Sequence, residues 1–461
     1  MKKILIGTLL VFGCEAYAVE KNNADEISDK TLAEKIISVE QQLKDLQQEF
    51  VLLSQQKLEN SQQKMANANS LLLSQPIDKP WQIKSYGSLL YKSHEVFKNT
   101  QDLTPYRRDV ADLERVVIEF AYQFEPQWSM ELELEYEHGG TGATLEYDGF
   151  EEFGEFETEI EAGGEVLVEK LAVKYQLSSA IDLEFGRIFV PIGLGTELHK
   201  PNQYFTTQRY WSESTLLPQV WHETGINLQA KWQGLSAQAL LTTGLNSEYF
   251  RTYQWIATGH QKRFEQVNAD ELAITLRLDY GDIKNGTGIG VSFYNGNTTG
   301  NRNKINKIHH DGNLSIVSIN GAFRSQNWLV KGQYIYGKLD DSLAITQANK
   351  TTPGLQPGNF AQLGSEAESF MLEAAYNSQL LLGLAKPFYI FSTYQYANPI
   401  KKVQQGRATQ RFDREEISVG INYFPTKNLV LKAQVSEQGF AQSNLDNTTS
   451  LSLSMGYQFS I

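Results

Sequence analysis

The side chains able to do chemistry are dispersed along this chain. The seven histidines, His94, His138, His199, His222, His260, His309 and His310, fall mostly in loops or at strand ends. Ser93-His94 and His222-Glu223 are adjacent pairs, and neighbours on a strand point to opposite faces. No Gly-x-Ser-x-Gly nucleophile motif accompanies them. Acidic residues are plentiful, but their spacing matches no EF-hand loop. No catalytic, cofactor or metal site is expected, and the chain is not expected to be an enzyme. The charged residues are more orderly. Arg115 and Glu119, then Glu131, Glu133 and Glu135, then Lys170 and Lys174, Asp182 and Glu184, Glu223 and Lys231, and Arg277 and Asp279 recur at even spacings. Arg324, Lys331, Glu373, Glu416 and Lys432 fit the same rule. A period of two sets them on one face of successive β-strands.

The other face of those strands is apolar. Val116, Ile118, Phe120 and Tyr122, or Ile274, Leu276, Leu278 and Tyr280, alternate with the charges. The last fourteen residues, 448–461, alternate almost without fault. About sixteen such segments follow residue 80, each near the roughly 9–11 residues a tilted strand needs to cross a bilayer. The least regular are 81–92 and 367–397, where Leu380 to Leu384 blurs the strand ends. Short connections alternate with long ones, as periplasmic turns alternate with extracellular loops. Hydrophobic residues make up only 41% of the chain and no long apolar helix is present, although Tyr (22) and Phe (23) are plentiful. The expected fold is all-β: a 16-stranded antiparallel transmembrane β-barrel, residues 81–461, with aromatics gathered at the strand ends. A large soluble all-β protein is the alternative.

The N-terminus reads as an export signal over 1–18, with Lys2 and Lys3, an apolar run from Ile4 to Gly13, and Ala16-Tyr17-Ala18. Cys14 then leaves with the peptide; Val11 to Cys14 as a lipidation site is the rival reading. Over 19–60 the chain predicts a short α-helical coiled coil. Leu32, Ile36, Val39, Leu43, Leu46, Phe50 and Leu53 step by four and three. This seam suits a periplasmic stalk joining protomers into a homotrimer; a single helix packing on or plugging the barrel is the alternative. Residues 61–80 read as the linker.

A sixteen-stranded barrel is wide enough for an aqueous channel. The polar inward face therefore implies passive diffusion of small hydrophilic solutes or ions through the outer membrane. The pore-lining or constriction candidates are Arg115, Glu119, Glu131, Glu133, Glu135, Lys170, Lys174, Arg187, Lys200, Arg209, Glu223 and Arg277. The loop 191–220, with His199, Lys200, Arg209, Trp211 and Glu213, either folds inward to narrow the channel or covers it from outside. Ten acids from Glu146 to Glu169, with no Lys or Arg among them, predict an acidic surface loop, or a site where divalent cations bridge to lipopolysaccharide or a neighbouring subunit. The expected partners are a second and third copy of the chain, outer-membrane lipid and lipopolysaccharide. The net charge of −13 argues against nucleic acid. A surface receptor or adhesin with little conductance is the other function these features allow.

Leu183-Glu184-Phe185-Gly186-Arg187-Ile188-Phe189-Val190-Pro191-Ile192-Gly193, a strand running into the long third loop, resembles the phosphate-selective porin O/P family of outer-membrane channels. So do Trp221-His222-Glu223-Thr224-Gly225-Ile226 and the aromatic last strand, over about residues 80–461. The resemblance implies a sixteen-stranded trimeric barrel with its third loop in the pore. It also implies anion selectivity, for which the matching region offers Arg187, Lys200 and Arg209. The inward Glu131, Glu133 and Glu135 depart from a ladder of bases, and Ile461 replaces the family's common final Phe.

Overall fold

A computed structural model describes Gln41 and residues 80–147, 158–261, 266–356 and 358–461. The chain divides into two units, Met1–Pro76 and Ile77–Ile461, and the barrel is the second. The export signal and the heptad seam from Leu32 to Leu53 lie outside the described residues.

Sixteen strands form one closed antiparallel barrel in sequence order. They are β1 (Trp81–Val96), β2 (Tyr106–Glu125), β3 (Trp128–Tyr147), β4 (Thr158–Gln176), β5 (Ile181–Phe189), β6 (His222–Trp232), β7 (Leu235–Thr243) and β8 (Leu272–Asp282). There follow β9 (Thr287–Asn297), β10 (Asn313–Arg324), β11 (Trp328–Leu339), β12 (Glu366–Asn377), β13 (Phe388–Lys402), β14 (Arg414–Thr426), β15 (Leu429–Phe440) and β16 (Thr448–Ser460). Closure is made by β1 on β16, from Lys84 opposite Ser460 to His94 opposite Ser450. Gly87 is needed at this seam: a Cβ there would lie 2.7 Å from the Tyr457 ring, which crosses it.

Alternation has an inverted sense here. On β8, Leu276 is 48% exposed whereas Thr275 between its apolar neighbours is 0% exposed. On β16, Leu453 is 46% exposed and Ser452 1%. Apolar side chains outside and polar ones inside is the pattern of a barrel dissolved in lipid. It also answers the edge problem, since a closed sheet leaves no unpaired backbone groups in hydrocarbon. Trp128 against Tyr175 and Trp328 against Tyr376 belong to the aromatic girdle at the short-turn end, with ring centroids 4.5 and 5.0 Å apart.

One expectation needs correction. The acidic stretch is not one surface loop, because β3 and β4 run on as a two-stranded ribbon to Tyr147 and Thr158. The ribbon changes register between Glu137 and Gly142, where His138, Gly139 and Gly140 all have positive φ. The two glycines take this conformation without steric cost. Nearer the bilayer, Glu133 faces Lys170 and Leu134 faces Val168, so Glu169 is the extra residue of a β-bulge. Its side chain is buried inside the barrel rather than on the cell surface. The irregular Leu380–Leu384 run lies in the turn between β12 and β13, and its leucines are exposed.

Candidate functional site

The nine-residue β5 ends early, and the chain then leaves the wall. It departs at Val190 and returns at Trp221, where Val190 N–H donates to Trp221 O at 2.8 Å. Between them the loop 190–221 folds into the lumen, the inward alternative of the two foreseen. A loop so buried must find partners for its backbone polar groups, and the barrel wall supplies them. Arg277 of β8 donates to Pro191 O and Gly193 O at 3.2 and 2.9 Å. Gln333 of β11 accepts the Leu194 N–H at 2.5 Å and donates to Glu213 Oε2 at 2.6 Å. Glu213 Oε1 in turn accepts the Gly195 N–H at 2.9 Å. A Cβ on Gly195 would meet that oxygen at 2.4 Å, so the turn closes on its carboxylate only through glycine. Burial pushes the Glu213 carboxyl up, and bonds from Gln333, Gly195 and Leu194 pull against it.

The middle of the loop is tied to the opposite wall. Arg115 of β2 donates to His199 O, Lys200 pairs with Glu119, and Lys331 donates to Gln203 O. Lys432 of β15 donates to Tyr204 O and Thr206 O at 2.8 and 2.9 Å. Glu373 of β12 accepts the Phe205 N–H at 3.1 Å and the Tyr210 O–H at 2.8 Å. Gln434 accepts the Thr207 N–H at 3.0 Å, and Gln395 the Ser212 N–H at 3.2 Å. Burial, with the Arg115 guanidinium beside it, holds the His199 imidazole well below its usual range. Its Nδ1 lies 2.8 Å from Thr196 O, which assigns the proton to that nitrogen.

Most of the sequence candidates meet in this lumen. Arg115, Glu133, Glu135, Glu223 and Arg277 face inward but are buried, so they do not border open water. The others form acid–base pairs. Lys170 lies 2.5 Å from Glu131 and 2.9 Å from Glu184, Lys174 2.8 Å from Asp182, and Arg209 3.8 Å from Glu137. Arg187 is a correction. It stands opposite Leu171 and Thr224, two places beyond the Phe185–Ile226 pair on the outward face, and its guanidinium lies 2.7 Å from His222 Nε2. Arg187, Lys200 and Arg209 therefore do not converge on one anion site. Gln333, Gln395 and Gln434, which carry much of the loop, were not among the candidates. Gln333 and Gln434 each lie two places from an inward lysine, Lys331 and Lys432, and that spacing is the available signal; Gln395 on β13 has no such neighbour.

The loop divides the lumen unequally. Against β8–β13, the segments between strands at the long-loop end add an apolar core. Trp221, Leu216, Phe250, Trp255, Ile345 and Leu363 pack in it, the last two from around a helix, α1 (Ser342–Thr351), unforeseen in the sequence. Trp255 seats its indole on Gly337, where a Cβ would lie 2.1 Å from the ring. Against β1 and β13–β16, a polar cavity of about 280 Å³ stays open between loop and wall.

No protein-family model matches the chain. An uncharacterized protein of Aquifex aeolicus (strain VF5) is 26% identical over 373 residues, 79% of this chain and 77% of that one. Among solved structures, the outer membrane channel DcaP of Acinetobacter baumannii is similar with a TM-score of 0.50 at 10% identity, over 82% of this chain and 97% of that one. OmpF of Salmonella typhi, in complex with daunomycin, gives 0.49 at 11% identity over 82% and 97%. An anion-selective porin from Comamonas acidovorans gives 0.47 at 10% identity over 82% and 100%. At such identities the likeness to DcaP is one of fold, that of an outer-membrane channel barrel.

Proposed function

We propose that this chain is an outer-membrane porin that passes small hydrophilic solutes or ions by passive diffusion through a passage narrowed by the loop 190–221. The observation that carries this reading is the polar cavity kept open beside a loop that is otherwise hydrogen-bonded to the wall. A barrel meant only as an anchor needs no polar space inside it. In the same reading residues 1–18 are removed on export, 19–60 form a periplasmic coiled coil, 61–80 link it to the barrel, and three copies assemble among lipid and lipopolysaccharide. Selectivity is weak, because the lumen's acids and bases largely answer one another. A phosphate-selective channel would need Arg187, Lys200 and Arg209 together, and Arg187 lies on the other face.

A surface receptor with little conductance is the second reading. The apolar core around Trp221 and Trp255, which fills the β8–β13 side, favours it. Planar-bilayer recording of the refolded full chain separates the two. Steps in groups of three with a small reversal potential in a salt gradient support the weakly selective trimeric porin. Block by phosphate with an anion preference restores the phosphate-selective function. A folded barrel that never conducts overturns the porin reading.

A further inference from the structure

We propose that the cavity between the loop and β13–β16 is a binding station for neutral polyhydroxylated solutes of single-sugar size, with Trp211 as its aromatic wall. The inference rests on the channel reading above and names the solute class that the passage holds.

Size comes first. At about 280 Å³ the cavity falls just below the roughly 300–1,000 Å³ of pockets for drug-sized ligands, which suits one sugar ring. The chemistry of the wall comes next. On β15 and β16 the bordering inward residues are Gln434, Ser436, Gln438, Thr448, Ser450 and Ser452, all uncharged. Hydroxyls and amides both donate and accept hydrogen bonds, as a sugar hydroxyl does. Ser436 and Ser450 lie 2.6 Å apart, which leaves lone pairs on both oxygens for a third partner.

Every Lys, Arg and Glu side chain at the cavity's edge makes a hydrogen bond or ion pair within the protein, Glu416 by accepting the Ser418 O–H at 3.0 Å. Arg209 faces Glu137 at 3.8 Å, and Lys92 donates to Gln208 at 3.4 Å. Glu95 accepts the Thr449 N–H and O–H at 2.7 and 2.8 Å.

Trp211, packed in part against the apolar core, is the aromatic residue that borders the cavity. It opens a single helical turn, Trp211–Ser214, whose Ser212 is held by Gln395. The Arg414 guanidinium lies 5.1 Å from the Trp211 ring centre. Its Nη2 donates to Thr215 Oγ1 at 3.3 Å, while its buried Nε finds no acceptor among the described residues. A rigid aromatic ring beside a spare buried donor matches a solute with an apolar C–H face and oxygens at its rim.

The test uses the full-length refolded protein, with glucose, gluconate and inorganic phosphate as probes of similar scale. Ion current is recorded in planar bilayers, and block is normalised to each variant's own conductance. Calorimetry on the detergent-solubilised barrel measures glucose binding without any need for current. Saturable block by glucose, with gluconate and phosphate at least tenfold weaker, is expected. Trp211→Ala should raise the half-blocking glucose concentration tenfold or more, and Trp211→Phe should restore most of it. Should Trp211→Ala fail to fold, Gln438→Ala is read in its place, with a severalfold loss expected. Unsaturable glucose block, equal block by all three probes, or block by the anions alone overturns the proposal. A non-conducting barrel that still binds glucose through Trp211 removes the channel reading and leaves the station standing.

Discussion

Glu373 is the tether whose removal should open the passage furthest. It is 0% exposed, and its carboxylate holds the Phe205 N–H, the Tyr210 O–H and, at 3.2 Å, the Lys331 ammonium. Glu373→Ala strands all three. Each buried donor left without a partner costs about 1–3 kcal/mol. Breaking a buried ion pair from one side costs about 3–5 kcal/mol. Water entering the gap and the remaining bond from Lys331 to Gln203 O recover part of this. A net loss of about 5 kcal/mol shifts the docked-to-undocked ratio by three to four powers of ten, since about 1.4 kcal/mol is tenfold. The loop stays anchored at Arg277 and Gln333 on one side and at Gln395 and Arg414 on the other. The middle, about 203–210, keeps its bonds to Lys432 and Gln434 and should loosen on the Glu373 side. The expected result is a larger and noisier single-channel conductance, with new tryptic cleavage after Arg209. Glu373→Gln keeps an acceptor but loses the charge, and should fall between. Wild-type conductance together with a protected Arg209 in Glu373→Ala would refute the idea that this carboxylate holds the loop.

Further outcomes follow from the same geometry. A Cβ on Gly456 would lie 2.4 Å from Pro201 Cβ, so Gly456→Val should lift the loop from β16 and raise conductance. Gly332→Ala, whose nearest neighbour is 3.6 Å away, should leave the current unchanged. Gly337→Ala drives a methyl into the Trp255 ring, and such overpacking costs about 1–3 kcal/mol, to be read as a lower melting temperature and altered tryptophan emission. His199 is neutral while the loop is docked and titrates near 6.5 once it is released. Docking is therefore independent of this group above about pH 6.5 and weakens as pH falls below it. Glu213, pushed up by burial, acts in the opposite sense as pH falls. Current noise in Glu213→Gln should then rise between pH 7 and 5, and adding His199→Asn should flatten it. Finally, Leu276→Arg on the outward face should cost about 2–4 kcal/mol in urea-driven unfolding from bilayers, as a charge near the bilayer midplane does. No measurable cost would count against that face meeting lipid.

The barrel was legible because its signal is local. Each strand carries its own alternation, so β8 or β16 can be found without knowing its neighbours. The ribbon extension of β3 and β4 was hidden because, above the bilayer, neither face need be apolar. The bulge at Glu169 was hidden because it depends on the register against β3, which no single strand states. Arg187 is different, since the sequence already excluded it from the lumen. Asp182 and Glu184 were assigned inward, which makes Gly186 inward and Arg187 outward. The motif's resemblance to a family with basic residues in its pore points the other way, and the period of two is the sounder guide. The loop's path could not be read at all. Its tethers join Leu194 to Gln333, Phe205 to Glu373 and Thr207 to Gln434, pairs set by the fold rather than by spacing.

That non-local pairing changes what the lumen's charges mean. Counted along the strands, acids and bases suggest a channel of mixed and weak selectivity. In the folded chain many of them have another task. Arg115, Arg277, Lys331, Glu373 and Lys432 hold a loop across the barrel, and their charge is spent on backbone carbonyls and N–H groups or on one another. Arg115 with Glu135, Arg277 with Asp279 and Lys331 with Glu373 largely cancel in the lumen's field, whereas Lys432, bonded to carbonyls, keeps its charge. The open space is bordered along β15 and β16 by side chains with no charge to count. In the porin reading, selectivity follows from the arc of wall the loop leaves uncovered, so mutations there should change which solutes pass, and mutations under the loop should change how widely the passage opens.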